Sequence, residues 1–237
     1  MTISQYTLYS YSTSPLSQAI HLTLELSKLP YRTVQIDLKD KPEWFVKEVS
    51  SEGKVPVLKL GKHEDQQAIC LPESKAIARY IADVSGKLIP QDPLERAQIE
   101  VFGLRYAEKV MKNTYVFFAG AGNEEKEKAT QGFKEGLAHI EGLLQNQSSK
   151  GPYFLGEELS LADTMAAPHL AINLAIMGPI HKVEIQMDKY PRISTWIQAM
   201  RNVPGWSTAV TDDATTIKNI TAIMQARREA NQAPTKA

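Results

Sequence analysis

Cysteine is almost absent from this chain: among 237 residues only Cys70 carries a thiol. One thiol excludes an internal disulfide and a cysteine-built zinc site, and it suits a reducing compartment, so a cytoplasmic location is expected. Net charge is absent too, with 27 Lys and Arg against 27 Asp and Glu. Neither nucleic acid nor an anionic membrane is therefore expected as a partner. Apolar runs are short and broken by charge, which leaves no candidate membrane span. The opening MTISQYTLYS has no basic n-region or long apolar stretch, so no secretory leader is expected. The five histidines (His21, His63, His139, His169, His181) show no metal-ligand spacing, and no metal is expected. A glycine-rich phosphate loop is missing. Ser14 lacks the G-x-S-x-G context of a serine hydrolase.

What is present falls into two textures. Thr7–Tyr11 reads as a strand, Leu16–Lys28 as a helix and Thr33–Leu38 as a second strand. Val55–Leu60 and Ala68–Leu71 read as a hairpin pair, followed by a helix over Glu73–Asp83, with a helical turn near Pro42–Glu48. That order predicts a small α/β layer with a mixed sheet, residues 1–85. Gly86 and two prolines punctuate a linker over 86–94. Residues 95–237 form an all-helical domain, with helical spacing over Leu94–Met111, Glu124–Leu144, Leu161–Ile176, Tyr190–Asn202 and Thr211–Glu229. The polar stretch from Arg227 reads as a disordered tail. Ser160-Leu-Ala-Asp163 has the spacing of a capping box, a folding device.

The segment LYSYSTSPLSQAIHL, where the first strand hands over to the first helix, is crowded with hydroxyls. Pro15 suits the first helical position, which puts Ser14 at the N-cap. Ser14 is then either a cap alone or also a donor to an anion drawn by the free N–H groups and partial positive charge of the helix end. Tyr9, Tyr11, Ser12, Thr13 and Ser17 compete for the second role.

This segment, with KPEWF (Lys41–Phe45), GKVPVL (Gly53–Leu58), PESKAIARYIAD (Pro72–Asp83) and LIPQDPLERA (Leu88–Ala97), resembles the glutathione transferase family. The resemblance implies an α/β thioredoxin-like N-terminal domain plus an all-α C-terminal helical domain. It also implies glutathione as co-substrate, no metal, and a homodimer. Ser14 matches the position of the omega-class Cys-Pro pair and of the first serine in the zeta-class Ser-Ser-Cys run. It is therefore chosen as the catalytic hydroxyl, ahead of Ser12 and Ser17. Val55-Pro56 matches the family's cis-proline pair, whose first residue lends its backbone to the cysteinyl part of the tripeptide. Glu73-Ser74 matches the pair that receives the γ-glutamyl end. Lys41 resembles the omega-class lysine that approaches the glycyl carboxylate, with Lys54 as the alternative. Tyr11, Met111, Tyr115 and Phe118 are candidates for the second-substrate site, and Trp206 with the final helix is expected to close the same cleft. Cys70, in an apolar run, reads as a buried strand residue.

KPEWF resembles omega members, LYSY with Ser14 zeta members, and PESKAIARYIA phi members, so the class stays open. A serine at position 14 counts against thiol transfer through a protein mixed disulfide. Three functions follow as expectations. The first is addition of the glutathione thiolate to a hydrophobic electrophile. The second is glutathione-dependent cis–trans isomerisation of a conjugated double bond, with an unsaturated natural product as a candidate substrate. The third is ligand binding without catalysis.

Overall fold

The computed structural model describes residues 6–118, 121–146 and 150–232. Strand β1 (Tyr6–Ser10) pairs in parallel with β2 (Tyr31–Gln35) and antiparallel with β3 (Val57–Lys59), which pairs antiparallel with β4 (Cys70–Leu71). The order β2-β1-β3-β4 is the expected mixed sheet. The β1–α1–β2 crossover forces the parallel pair, because α1 (Pro15–Ser27) must return the chain to the same sheet end. Both hairpin strands are shorter than the apolar runs suggested. Val55 and Pro56 precede β3 as a cis pair, and the exposed loop after Gly61 delays β4 until Cys70. Cys70 is half-buried at this outer strand rather than sealed in the core.

Helix α2 (Ser74–Ser85) completes the first unit, and α3 starts at Pro93. The two units share one apolar core, which runs from Leu8 and Ile20 through Ile77 to Leu170 and Trp196. Polar ties reinforce it. Thr23 of α1 bonds Thr164 at 3.0 Å in a buried contact, and Gln18 of α1 reaches Thr211. Helix α6 (Leu161–Met177) is buried along nearly its whole length and forms the axis of the molecule. Around it lie α3 (Pro93–Tyr106), α4 (Lys112–Phe118), α5 (Asn123–Gln145), α7 (Pro191–Arg201), the single turn α8 (Trp206–Ala209) and α9 (Asp213–Gln232).

Asp163 shows why α6 starts where it does. Its buried carboxylate accepts from Ser160 N (2.9 Å), Ser160 Oγ (2.7 Å), Phe154 N (2.8 Å) and Trp196 Nε1 (2.8 Å). The capping box thus doubles as a tie between α6, the preceding loop and α7. Between α3 and α4 the helix widens into a π-turn over Ala107–Met111. Asn113 Nδ2 satisfies the carbonyl of Lys109 there at 2.7 Å, and α5 lies so close that a Cβ on Gly136 would collide with that oxygen. Only glycine allows this approach.

The stretch from Arg227, read as a tail, instead continues α9 as far as Gln232; residues 233–237 lie outside the described residues. Arg227 anchors it by donating to Phe118 O at 3.0 Å, a contact that polar composition does not reveal.

Candidate active site

The β1–α1 turn is held by local bonds. Ser14 N donates to Tyr11 O at 2.9 Å, and Gln18 Nε2 donates to Ser12 O at 2.7 Å. Ser14 has extended backbone angles (φ −79°, ψ 115°), and its Oγ accepts from Ser17 N at 3.2 Å. It is therefore the N-cap, with Pro15 at N1. Capping uses one lone pair of the hydroxyl and leaves its proton for another acceptor. None is bonded to it among the described residues. Ser14 is half-buried, and the first turn of α1 carries no acidic side chain to offset its positive end.

The competing hydroxyls sit differently. Tyr9 is fully buried, packs between Trp44, Phe45 and His63, and bonds His63 Nδ1 at 3.0 Å; burial pushes its phenol up to about 12. Ser17 is buried inside α1, with an unpartnered Oγ. Ser12 is exposed and Thr13 half-buried in the turn. Tyr11 is half-buried, with its carbonyl committed to Ser14 N.

The loop before β3 brings two lysines and the cis pair together. Val55-Pro56 is a cis peptide. Ser50 pins the loop from both sides, its Oγ donating to Lys54 O and accepting from Lys54 N, each at 3.0 Å. Gly53 takes φ +60°, and the side chain of Lys41 crosses over it, Nζ lying 3.1 Å from where a Cβ would stand. The sequence offered no signal for Ser50, since a serine four residues from a lysine is unremarkable. Lys54 pairs with Glu52, both exposed, whereas Lys41 has no carboxylate partner among the described residues. Glu52 first, and to a smaller degree the charge of Glu73, raise the ammonium of Lys54.

Glu73 is the most unusual backbone position in this region. It precedes α2 at φ 69°, ψ 108°, where a side chain is disfavoured, and its carboxylate is exposed without a hydrogen bond among the described residues. Such conformations cost about 1–3 kcal/mol and tend to persist where they aim a group at a ligand. Ser74 is the first residue of α2, not its cap, and sits beside the free N–H groups of the first turn. One acid next to a helix N-terminus matches a zwitterion.

Ser74 also lines a cleft of about 160 Å³ between α1, α2, α3 and α6, together with Leu16, Ala78, Tyr106, Met111 and Met165. Of the second-substrate candidates, Met111 alone lines this cleft. Tyr115 is 52% exposed on α4. Phe118 packs edge-on against His181 with ring centres 5.7 Å apart and is part of the packing of the helical unit. Trp206 does not close this cleft; it is buried against another face of α1 and lines a different cavity. Leu16 and Met165 escaped the sequence reading because apolar residues on helices look like core.

Two family models match the chain: the glutathione S-transferase N-terminal domain over residues 8–87 and the glutathione S-transferase C-terminal domain over residues 123–199. Glutathione S-transferase omega-1 of Sus scrofa is 30% identical over 207 residues, 84% of this chain and 78% of that one. Maleylacetoacetate isomerase of Rattus norvegicus is 28% identical, covering 79% of this chain and 83% of that one. Glutathione transferase Omega 2S from Trametes versicolor, solved in complex with 2,4-dihydroxybenzophenone, superposes with a TM-score of 0.77 at 25% identity, over 92% of this chain and 98% of its own. With a thioredoxin-like mixed sheet followed by a helical domain, this chain belongs to the glutathione S-transferase family.

Proposed function

We propose that the protein is a cytoplasmic, homodimeric serine-type glutathione transferase that adds the glutathione thiolate to an electrophilic, hydrophobic small molecule. The observation that carries this reading is the hydroxyl of Ser14. It caps a helix whose first turn has no acid, and it keeps a proton with no acceptor among the described residues. Bound glutathione supplies a sulfur nucleophile. A free thiol near pKa ~8.5 is only a few per cent thiolate at neutral pH, and lowering it by about two units takes roughly 2.7 kcal/mol. A hydrogen bond to a charged group contributes roughly 1.5–3 kcal/mol and a helix N-terminus up to ~2. Ser14 and the end of α1 together are sufficient, and no separate base is needed.

The remaining residues hold the tripeptide. The backbone of Val55, ahead of Pro56, pairs with the cysteinyl unit; Glu73 takes the amino group, and Ser74 with the α2 N–H groups takes the carboxylate. Lys41 faces the glycyl carboxylate in preference to Lys54, whose charge is shared with Glu52. Met111, which shares the cleft with Ser74, lies on the side of the second substrate. Glu73→Gln is expected to weaken glutathione binding about tenfold or more, from loss of a charge-assisted bond worth roughly 1.5–3 kcal/mol. Turnover at saturating glutathione should be nearly unchanged. Titration calorimetry beside steady-state rates separates the two effects, and equal affinity in the variant would remove Glu73 from the site.

Isomerisation of a conjugated double bond through the same thiolate is the second reading, favoured by the likeness to maleylacetoacetate isomerase. The two are told apart by the fate of glutathione. A stable conjugate that consumes it stoichiometrically supports transfer; altered alkene geometry with glutathione returned supports isomerisation. Turnover of neither an electrophile panel nor an alkene panel, despite tight glutathione binding, would leave only a carrier role.

Ser14→Cys tests the placement from another side. A cysteine at a helix N-terminus is acidified and nucleophilic, so this variant should form a mixed disulfide with glutathione and gain disulfide-exchange activity. Mass spectrometry after treatment with oxidised glutathione reads it directly, and a Ser14→Cys protein that stays unmodified would count against the placement.

A further inference from the structure

A second cavity, of about 690 Å³, opens on another face of α1. Its walls are Gln18 and His21 of α1, the outer edge of β2 and the Trp206–Asp212 segment of the helical unit. Neither Ser14 nor any residue assigned above to glutathione lines it. The volume lies within the range of small-molecule sites, about 300–1,000 Å³.

Its charges are already engaged. Arg201 bonds both carboxylate oxygens of Asp213 at 2.9 and 3.0 Å. Asp212 accepts from Thr215 N at 2.9 Å as it begins α9, and this bonding holds its carboxyl below the usual range. At the floor, the hydrogen bonds define protonation. Tyr31 donates its one proton to Glu25 at 2.7 Å, so the contact at 3.2 Å between Tyr31 Oη and His21 Nδ1 requires the proton on Nδ1. His21 Nε2 is then bare and accepts from Ser10 Oγ at 3.1 Å. Burial of His21, which lowers it to about 4, agrees with a neutral ring. Ser10 is left with lone pairs only, able to accept from a ligand hydroxyl.

Of the other polar groups, Gln18 and Thr211 bond each other, and the rest are uncommitted and neutral. Ser12, Thr33, Gln35, Ser207 and Thr208 make no side-chain hydrogen bond among the described residues. The parallel register commits the even-numbered backbone groups of this strand to β1, as in Tyr6 N to Pro30 O and Ile36 N to Ser10 O. The N–H and C=O of Thr33 and Gln35 therefore point outward from an edge strand. Opposite them, Trp206, Ala209 and Val210 make an apolar wall.

We propose that this cavity binds a neutral, multiply hydroxylated ligand, a glycosyl unit laid with its C–H face on the Trp206 wall. The one cation of the lining, Arg201, is paired with Asp213, and its one carboxylate, Asp212, accepts the cap bond of α9 at the outer rim, so the rest of the lining is neutral. Sugar hydroxyls both give and accept, which matches the mixture of hydroxyl, amide and outward backbone groups. The site is independent of the glutathione reading.

The test is amide-resolved NMR of the full chain titrated with 4-nitrophenyl β-D-glucopyranoside, with 4-nitrophenol and 4-nitrophenyl phosphate as matched probes. Saturable shifts at Thr33, Gln35 and Thr208 by the glucoside are expected. The exposed replacements Thr208→Trp, which fills the cavity, and Gln35→Leu, which removes an amide, should each weaken it about tenfold or more, about 1.4 kcal/mol. Glutathione binding and turnover in the same samples should not change. No saturable shift up to ~10 mM, a dissociation constant weaker than about −2.7 kcal/mol of binding, overturns the proposal. So does equal or tighter binding of the phenol or the phosphate, or glucoside affinity unaltered in both variants.

Discussion

Replacing Ser14 with alanine is expected to raise the pKa of the bound glutathione thiol by about one to two units and to cut turnover near neutral pH about 10- to 100-fold. The expectation rests on one hydrogen bond to a charged sulfur, and the helix end, which survives the substitution, prevents a total loss. Glutathione affinity should change little, because Glu73, Ser74 and Val55 remain. Thiolate absorbance against pH, measured on the complex, gives the shift directly. The matching signature in kinetics is a pH–rate profile displaced to higher pH. An unshifted profile would take Ser14 out of the mechanism.

Alanine also removes the cap of α1, which costs about 0.5–2 kcal/mol in stability, so lost activity alone is ambiguous. Ser14→Asp separates the roles. Aspartate caps a helix as well as serine does, so thermal stability should be kept. Its negative charge opposes a thiolate, so activity should fall at least as far as in the alanine variant. A stable, fully active aspartate variant would show that residue 14 serves the helix only.

Asp163→Ala is expected to cause a large loss of stability. Its carboxylate is fully buried and receives four donors, from Phe154, Trp196 and both the backbone and the side chain of Ser160. Truncation leaves those donors without an acceptor in a place water does not reach. Each buried donor left unsatisfied costs roughly 1–3 kcal/mol, so with partial relaxation the loss is about 3–5 kcal/mol in all. For a chain of this length that corresponds to a fall in melting temperature of roughly 6–20 °C. Burial raises the carboxyl of Asp163 even though the bonds from Phe154, Ser160 and Trp196 pull it down, so desolvation is the larger effect. Asp163→Asn keeps the shape and one acceptor but turns an amide N–H toward the Ser160 donors, and an intermediate loss is expected. A melting temperature within a degree or so of the parent in the alanine variant would be incompatible with this account.

Much of the fold was legible because its signals are local. Ser14-Pro15 marks a helix start, and the cap bond between Ser14 and Ser17 spans three residues. Ser160-x-x-Asp163 does the same for α6. The succession of strands along the chain followed from alternation and from breakers such as Gly61, though not their order in the sheet, and the family signatures in GKVPVL and PESKAIARYIAD carried the candidate glutathione residues. Strand ends were less legible, since apolar runs continue past the last ladder bond.

Other features needed the folded chain. Gln18 is tied to Thr211 across 193 positions, and nothing in either local sequence announces it. Tyr9, which the sequence already assigned to the first strand, is buried and bonded to His63, 54 positions away, a contact its local sequence does not announce. The strained turn at Glu73, the path of Lys41 over Gly53, and the separation of Trp206 from the cleft of Ser74 and Met111 likewise appear only in three dimensions.

Amino-acid order by itself determined where helices begin, which strands exist and which polar residues stand at helix starts, because those outcomes depend on bonds between residues a few positions apart. Tertiary packing decided which hydroxyls are buried, which aromatic rings are core, and where cavities open. Those outcomes depend on how faces of distant helices meet, and the same apolar spacing is compatible with many such meetings.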